Sequence, residues 1–177
     1  MSTDQSTAAT PDNARRVTLR PAGPEDMDFL RRVYASTRAE ELALTNWDEA
    51  QRAAFINHQF IAQHQYYHTE FPEAAYEIIL LDGEPIGRRY VLRDGPQMRI
   101  LDITLLPEHR GAGIGTALMR ELMEEAAQTG RHLRIYVENF NRSQSLFARL
   151  GFVVVEEDGF LWLWEWRSKE NSRGNAA

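Results

Sequence analysis

The most informative part of the chain is a strand-like segment that runs into a helix-like one. Residues 98–106 are mostly branched and apolar and end at Pro107, a pattern typical of a buried strand. From Ile114 onward, apolar residues recur at every fourth position, which predicts an amphipathic helix that stops before Gly130. Three closely spaced glycines lie between the two segments.

The remaining pattern predicts further strands alternating with helices, and hence an α/β fold. A second helix is expected over about 47–67, capped by Thr45 or Asn46, and a short later helix is expected to be capped by Asn141 with Gln144 at the capping-box position. Strands are predicted at 16–20, 77–81, 85–91, 133–137, 153–155 and 159–166, and a first helix opens at Pro24.

Length and local composition indicate a single domain. With 177 residues, the chain is large enough to bury a core of its own. Residues 1–14 are small and polar and predict a disordered tail, 15–167 form the domain, and 168–177 are expected to fray. Phe160, Trp162, Trp164 and Trp166 alternate along the last strand and are expected to pack in the core or at a homodimer contact.

Charge and cysteine content exclude several classes of function. The net charge of −6 argues against a nucleic-acid partner or an anionic membrane surface and fits a cationic acceptor. Cysteine is absent, which closes any route through a thiolate metal site or an acetyl-cysteine intermediate. The sequence contains neither a signal-peptide pattern nor a run of 18 apolar residues, so we expect no membrane association and a cytoplasmic location.

The glycine-rich segment has the features of a phosphate-binding loop. Glycines allow backbone amides to approach a ligand closely, and a helix N-terminus offers unpaired N–H groups and a favourable dipole. A Walker loop would require Gly-Lys-Ser/Thr, whereas Gly113 is followed by Ile114, Gly115 and Thr116. A dinucleotide fingerprint starting at Gly111 would need a small residue at Thr116.

Two motifs in this order resemble those of the GNAT N-acetyltransferase family. Arg110-x-x-Gly113-x-Gly115 matches the Arg/Gln-x-x-Gly-x-Gly/Ala signature, and 137–152 resembles the later Val-x-x-x-Asn and Leu-Tyr-x-x-Leu-Gly-Phe pattern. The resemblance covers roughly 16–167. It implies a central mixed sheet of six to seven strands flanked by about four helices, and acetyl-CoA as the acetyl donor.

The resemblance also implies which residues hold acetyl-CoA. The loop would bind the pyrophosphate, and the strand before it would leave backbone N–H and C=O groups unpaired for the pantetheine arm and the thioester. An N–H at Leu105 would then stabilise the oxyanion of the transition state. The residues so assigned are Leu105, Leu106, Arg110, Gly111, Ala112, Gly113, Ile114, Gly115, Thr116, Asn141, Ser145 and Phe147.

One departure from the family pattern concerns the general acid. Many members have a tyrosine where this chain has Phe147, and phenylalanine cannot donate a proton to the departing thiolate. A thiol has a pKa of about 8.5, so the thiolate can leave at neutral pH with little help. Tyr136 could substitute as the acid, although packing is its ordinary role.

The acceptor amine must lose a proton, which requires a base. Asp102 lies among apolar residues of the buried strand, an expensive position for a carboxylate without a partner or a chemical role. Glu138, and then Glu40 or Glu41, are alternatives. His64 and His68 are four residues apart, but a catalytic zinc site needs a third ligand, so they are interpreted as packing or surface residues.

These observations favour an N-acetyltransferase that moves an acetyl group to a primary amine by direct attack in a ternary complex. Two alternatives stay open: an acyl-CoA-binding module without catalysis, motivated by Phe147, and a dinucleotide-binding domain. The identity of the amine-bearing acceptor is not encoded in any motif.

Overall fold

The computed structural model describes residues 16–168, which form one seven-stranded sheet with two helices on each face. Of the predicted tails at 1–14 and 168–177, Ser168 alone lies within the described residues, and it is largely buried. The strands are β1 (Val17–Pro21), β2 (Ala75–Leu81), β3 (Glu84–Asp94), β4 (Gln97–Leu105), β5 (His132–Glu138), β6 (Val153–Asp158) and β7 (Leu161–Trp166). The helices are α1 (Met27–Ala43), α2 (Glu49–Glu70), α3 (Ile114–Gln128) and α4 (Gln144–Arg149).

The sheet is mixed, with the strand order β1-β2-β3-β4-β5-β7-β6. All neighbours are antiparallel except β4 and β5, which are parallel because α3 carries the chain back between them. This confirms the predicted sheet of six to seven strands. It excludes a doubly wound dinucleotide fold, whose strands are mostly parallel. Strands β1 and β6 form the two edges.

Side chains from the two faces of the sheet form separate cores. On one face, α3 and α4 pack on β3, β4, β5 and β7, with Met98, Ile100, Met119, Leu122, Ile135 and Phe147 among the buried residues. On the other face, α1 and α2 pack on β2 and β3, with Leu30, Tyr34, Phe60, Ile78 and Tyr90 among the buried residues. No helix within 16–168 combines the length and apolarity needed to cross a membrane.

Strand β4 carries one residue more than the part of β3 that it faces. Tyr90 pairs with Asp102, but Val91 pairs with Ile100, so Leu101 is left without a partner of its own. Such a bulge bends a strand and increases its twist. The bend therefore falls in the middle of β4.

The bulge coincides with the end of the contact between β4 and β5. The parallel ladder joins 97–100 of β4 to 132–135 of β5 and stops there. Beyond it, 101–105 and 136–138 have no pairing with each other. We call the gap between these two segments the β4–β5 wedge.

Helix α2 begins later than predicted because Asp48 caps it. Asp48 accepts a hydrogen bond from the Gln51 N–H (2.8 Å), and the Gln51 side chain accepts one from the Asp48 N–H (2.9 Å). Thr45 instead donates its hydroxyl to the Leu42 carbonyl at the end of α1 (2.8 Å). The prediction that Thr45 or Asn46 caps α2 is therefore wrong, since this reciprocal pair satisfies the helix start.

The aromatic residues of the last strand are only partly buried. Trp164 is 7% exposed, and Trp162 and Trp166 pack partly buried against the same core. Phe160 lies in the turn before β7 and is 64% exposed, so it does not pack in the core, and its place at a homodimer contact stays a prediction. The alternation fails there because the strand starts at Leu161, two residues later than predicted.

A buried ion pair joins β1 to the start of α1. Both oxygens of Asp26 accept hydrogen bonds from Arg20 at 2.7 Å, and one also accepts the Gly23 N–H at 2.8 Å. Asp26 is 5% exposed. The hydrogen bonds from Arg20 hold the pKa of Asp26 below its ordinary value. This carboxylate therefore stabilises the fold at neutral pH, and the contribution is lost as the pH falls through the pKa of the folded state.

We expect Asp26→Asn to lower the free energy of unfolding at pH 7 by about 2 kcal/mol, because it weakens hydrogen bonds between charged groups. The difference from the wild type should shrink as the pH falls below about 4, because the carboxylate then takes up a proton in the unfolded chain before it does so in the folded protein. Urea unfolding over a pH series measures both effects. Asp28→Asn is the control, since Asp28 is an exposed carboxylate in the same turn. A difference that persists unchanged in acid would contradict the assignment.

Candidate active site

The backbone of Leu105 is aimed into the β4–β5 wedge. The N–H of the next residue, Leu106, donates to the Ile86 carbonyl on β3 at 2.9 Å. Because N–H groups alternate in direction along a strand, the N–H of Leu105 points the other way, toward β5. The ladder with β5 has already ended at Ile100, so no strand residue is opposite this N–H.

Other backbone groups expected to be free are already bonded within the protein. The Leu105 carbonyl accepts a hydrogen bond from Nε of Arg110 at 2.8 Å. The Leu106 carbonyl accepts the His109 N–H at 3.0 Å, and its own N–H is used by β3. The sheet thus leaves the N–H and the carbonyl of Leu105 unpaired, as expected, whereas the expectation is wrong for the Leu106 N–H, which pairs with β3. The N–H of Leu105, like that of Ile103 two residues earlier on the strand, is directed into the wedge.

Gly87 on β3 lets β4 come close at Leu105. It was not among the site residues predicted from the sequence. It pairs with Leu105, and a Cβ built on it would lie 2.2 Å from the Thr104 carbonyl oxygen and 3.1 Å from the Leu105 Cα. Any side chain at Gly87 would push β4 away. Its signal in the sequence is a glycine inside a strand, which often marks a close backbone approach.

The loop after β4 presents free amides to open space. Gly111 and Gly113 have φ of 77° and 82°, in the left-handed region that favours glycine. Within the described residues, the N–H groups of 111–113 have no acceptor, and those of 114–116 belong to the first turn of α3. A Cβ built on either glycine meets no atom within 4 Å. These unpaired amides and the open space in front of them, which we call the glycine cradle, are the features that an anion-binding loop requires.

Gly115 differs from the other two glycines of the loop. It lies inside α3, its φ is not in the left-handed region, and an added Cβ would make only ordinary contact with Leu105, at 4.0 Å. The structure therefore accepts alanine here, in agreement with the Gly/Ala alternative at this position of the signature. The requirement for glycine is confined to Gly111 and Gly113.

Arg110 connects this loop to two neighbouring elements. Besides its bond to Leu105, it contacts the Ser36 hydroxyl of α1 at 3.4 Å. The arginine of the signature thus lies along the protein surface and braces the turn. The hydrogen bond from the Arg110 side chain to the Leu105 carbonyl could not be predicted from the sequence pattern.

The segment before α4 is held by its own turn rather than by the predicted cap. Asn141 accepts the Ser143 N–H at 2.9 Å, Gln144 donates to the Glu138 carbonyl at 3.0 Å, and helix α4 follows Ser143. Asn141 is therefore neither the N-cap nor part of a capping box, because the helix begins two residues later than expected. Its side chain is exposed at the surface.

Ser145 and Phe147 differ in how accessible they are. Ser145 is exposed and donates its hydroxyl to the Arg142 carbonyl at 3.1 Å. Phe147 is 3% exposed, with its ring 5.6 Å from Phe152 and 6.3 Å from Trp164 between centroids. The ring of Phe147 belongs to the core. A cofactor role for Asn141, Ser145 or Phe147 stays a prediction.

Asp102 is held in a buried polar network beneath α2. One of its oxygens accepts a hydrogen bond from Arg88 and the other from the Thr104 hydroxyl, both at 2.7 Å. Arg88 is 2% exposed and also donates to Gln63 of α2 at 2.9 Å, while its Nε has no partner within the described residues. Burial raises the pKa of the neighbouring Tyr90 to about 12. Asp102 therefore has a structural partner on β3 that strand periodicity alone did not reveal.

The other candidate bases are more exposed. Glu138 is half-buried at the end of β5. Oε2 of Glu40 lies 3.8 Å from Nη2 of Arg142, and Oε2 of Glu41 lies 3.3 Å from Nη1 of Arg38; both glutamates are at the surface. Of the candidate bases, Asp102 thus lies on β4 beside the wedge, whereas Glu40 and Glu41 lie on the exposed side of α1.

The two histidines line a separate cavity between α1, α2 and the sheet. The centroids of His64 and His68 are 4.4 Å apart, and His68 stacks on Tyr76 at 4.0 Å. The cavity has a volume of about 300 Å³. Burial lowers the pKa of both imidazoles. Within 16–168, no three His, Cys, Asp or Glu residues are arranged to hold a metal ion.

The fold, the wedge and the glycine cradle define an acyltransferase of the GNAT type. The "Acetyltransferase (GNAT) family" profile matches residues 37–152, and the chain belongs to that family. A search of curated proteins finds no significant match.

Solved structures of other acetyltransferases share the fold over nearly their whole length. The PaiA N-acetyltransferase from Thermoplasma acidophilum, solved with coenzyme A, is 19% identical with a TM-score of 0.65, over 86% of this chain and 99% of that one. An acetyltransferase from Thermus thermophilus is 18% identical with a TM-score of 0.62, over 86% and 97%. FdhC, described as a nucleotide-linked sugar GNAT, is 18% identical with a TM-score of 0.62, over 89% of each chain.

We expect Gly87→Ala to displace β4 at Leu105, because the new Cβ would overlap the Thr104 carbonyl. The variant should lose about 1–3 kcal/mol of unfolding free energy through overpacking. The amide resonance of Leu105 should shift in the NMR spectrum. Gly83→Ala is the control: it introduces alanine at a φ of 88° in open space, so it should cost about 1–2 kcal/mol through backbone strain alone. An unmoved Leu105 resonance in Gly87→Ala would refute the contact.

Proposed function

We propose that this protein is an acetyl-CoA-dependent N-acetyltransferase that acetylates a primary amine within a ternary complex. The observation that carries the proposal is the N–H of Leu105, which faces the wedge without a strand partner. Membership of the GNAT family supports the acetyl donor, as does the coenzyme A in the PaiA structure.

The residues of the loop fit the donor. Left-handed Gly111 and Gly113, with open space where side chains would be, let consecutive amides approach a diphosphate closely. Gly111, Ala112, Gly113, Ile114, Gly115 and Thr116 would hold that group through backbone N–H donors, with Arg110 bracing the turn. Bound there, acetyl-CoA supplies an activated thioester.

The chemistry at Leu105 follows from charge development. As the amine nitrogen bonds to the carbonyl carbon, the carbonyl oxygen becomes anionic, and a fixed N–H stabilises that oxygen more in the transition state than in the ground state. The C–S bond then breaks, and the thiolate leaves. Phe147 donates no proton, and none is required, because a thiol pKa of about 8.5 makes the thiolate an adequate leaving group at neutral pH.

The proton of the amine goes to Asp102 through a water molecule in this scheme. The carboxylate lies on β4 beside the wedge, and it uses one hydrogen bond on each oxygen, which leaves capacity to accept from water. Arg88 keeps the group oriented through its 2.7 Å ion pair. Glu138, at the opposite wall of the wedge, is the alternative base.

A second candidate is an acyl-CoA-binding module without catalysis, favoured by the burial of Phe147 where many relatives carry a tyrosine. The two functions separate in a thiol-release assay with acetyl-CoA and a panel of small amines, polyamines, amino acids and peptides. Release that depends on an amine supports the transferase. Calorimetric binding of acetyl-CoA without release on the whole panel supports the binding module.

We expect Gly113→Glu to abolish binding of coenzyme A, because it places bulk and negative charge in the cradle. Gly130→Glu is a matched control at the other end of α3: its φ of 67° is also left-handed and its surroundings are equally open. Both variants should lose similar stability, about 1–2 kcal/mol from the backbone conformation. Only the first should lose affinity in isothermal titration calorimetry. Normal affinity in folded Gly113→Glu would refute the loop assignment.

We expect Asp102→Asn to lower kcat by about a hundredfold or more, the range for losing a general base. The same change leaves the buried Arg88 without its counter-charge, so the unfolding free energy should also fall, by about 3–5 kcal/mol. The pH dependence of kcat, corrected for the folded fraction, separates the two effects. Thr104→Val is the control, since it removes a hydrogen bond to the same carboxylate but keeps the charge. A kcat within a few fold of the wild type would limit Asp102 to a structural role.

A further inference from the structure

Arg99 lies at the narrow end of the β4–β5 wedge, on the side covered by α1 and α2. Its neighbours Met98 and Ile100 are buried in the core beneath α3, so strand alternation directs Arg99 to the opposite face. Tyr136, the first residue of β5 beyond the ladder, alternates with buried residues of the same core and shares the face of Arg99. The two side chains meet where the strands begin to separate.

The guanidinium of Arg99 contacts two aromatic rings. Its Cζ lies 5.0 Å from the ring centroid of Phe71, at the end of α2, and 4.8 Å from that of Tyr136. Cation–π contacts of this kind stabilise the planar group and restrict its orientation. Arg99 is half-buried and Tyr136 is 37% exposed, so this corner is accessible to solvent.

Arg99 differs from every other arginine on the three central strands. Within the described residues, it has no hydrogen bond and no carboxylate within ion-pair distance. The other four each have an acidic partner: Arg88 with Asp102, Arg89 with Glu77 and Glu121, Arg93 with Glu125, and Arg134 with Glu165. Of the five arginines on these strands, Arg99 is therefore the one whose guanidinium lacks an acidic partner among the described residues.

A preoriented guanidinium with free N–H groups is suited to a planar anion. Its fork matches a carboxylate through two parallel hydrogen bonds, a geometry that a lysine ammonium cannot reproduce. Arg134 lies directly beside Arg99 in the ladder but is paired with Glu165. Arg99 is therefore the guanidinium at this corner that is available to an added anion.

Distance along β4 restricts what such an anion can belong to. Arg99 and Leu105 are six residues apart, which places their Cα atoms on the order of 20 Å from each other in a strand. The amine must react near Leu105, while Arg99 is at the opposite end of the wedge. An α-amino acid carries its amine and carboxylate on one carbon and cannot reach both positions.

We propose that Arg99, in contact with the rings of Phe71 and Tyr136, is the carboxylate-binding subsite for the acceptor. The acceptor is then an elongated primary amine with a carboxylate at its far end, lying along the β5 side of the wedge over Tyr136. This inference rests on the proposed acetyl transfer and specifies its substrate class. Peptides with a free C-terminus and linear amino acids with a long spacer share this chemistry.

The test compares linear ω-amino carboxylic acids of increasing chain length with the matching ω-amino carboxamides, which lack only the negative charge. In the wild type, kcat/KM should favour the acid by about tenfold or more at chain lengths that span the wedge, since hydrogen bonds between charged groups contribute about 1.5–3 kcal/mol. The preference should appear mainly in KM. A second set of substrates consists of short peptides with either a free or an amidated C-terminus. Comparing the two sets shows whether the carboxylate belongs to a peptide C-terminus or to a linear amino acid.

Arg99→Met should abolish the acid preference, taken as the ratio of kcat/KM for the acid to that for its carboxamide, because it removes the charge and the fork but keeps an unbranched side chain beside the two rings. Arg99→Lys keeps the positive charge but lacks the planar fork, so it should retain only part of the acid preference. If Arg99→Met does not fold, the lysine variant tests the proposal in its place. Arg16→Met removes an exposed arginine from the far edge of the sheet and controls for net charge. A wild type without acid preference, or an Arg99→Met enzyme that keeps it, overturns the proposal.

A binding arm separates this proposal from the proposed function. The longest acid and its carboxamide are titrated calorimetrically into the wild type and Arg99→Met in the presence of coenzyme A. If no amine is acetylated, the transferase assignment fails, while tighter binding of the acid that depends on Arg99 still supports the subsite. Equal binding of acid and amide overturns the subsite whatever the turnover.

Discussion

The surplus residue in β4 is the constraint on which the site depends. Leu101 has no partner on β3, and the bend it introduces comes directly after the last pair between β4 and β5. A regular β4 would have continued the parallel ladder, and the N–H of Leu105 would have bonded to β5. The wedge is therefore a result of strand register, and the hydrophobic cores on both sides of the sheet hold that register in place.

The polar groups of Leu105 and Leu106 are bonded within the protein except for the N–H of Leu105, which faces the wedge. On the β3 side, Gly87 permits close approach and Leu106 completes the ladder. On the loop side, Arg110 donates to the Leu105 carbonyl. A donor fixed by the backbone needs no reorganisation when charge develops in front of it, which is the condition for effective electrostatic stabilisation. In the proposed reaction the side chain of Leu105 only packs in the core and has no chemical role.

The sequence predicted what local rules control and missed what long-range contacts decide. Alternation and four-residue periodicity located the strands and the helix after the loop, and the glycines of 111–115 marked the turn between β4 and α3. The partner of Asp102 and the role of Gly87 depend on pairing with β3, which no local pattern specifies. The start of α2 was missed because Thr45 and Asn46 are as good candidates by type as Asp48, and only the contact with Gln51 separates them.

The outer edge of the sheet has a consequence for the behaviour of the protein in solution. Strand β6 has a free edge, and it protects that edge with a bulge at Val155 followed by Glu156, Glu157 and Asp158, all exposed. Adjacent negative charges make edge-to-edge association of two copies unfavourable. The same edge carries the exposed side chains of Val153 and Val155, which on their own would favour association with another strand. Resistance to aggregation is thus supplied by three consecutive charged side chains at the end of one strand.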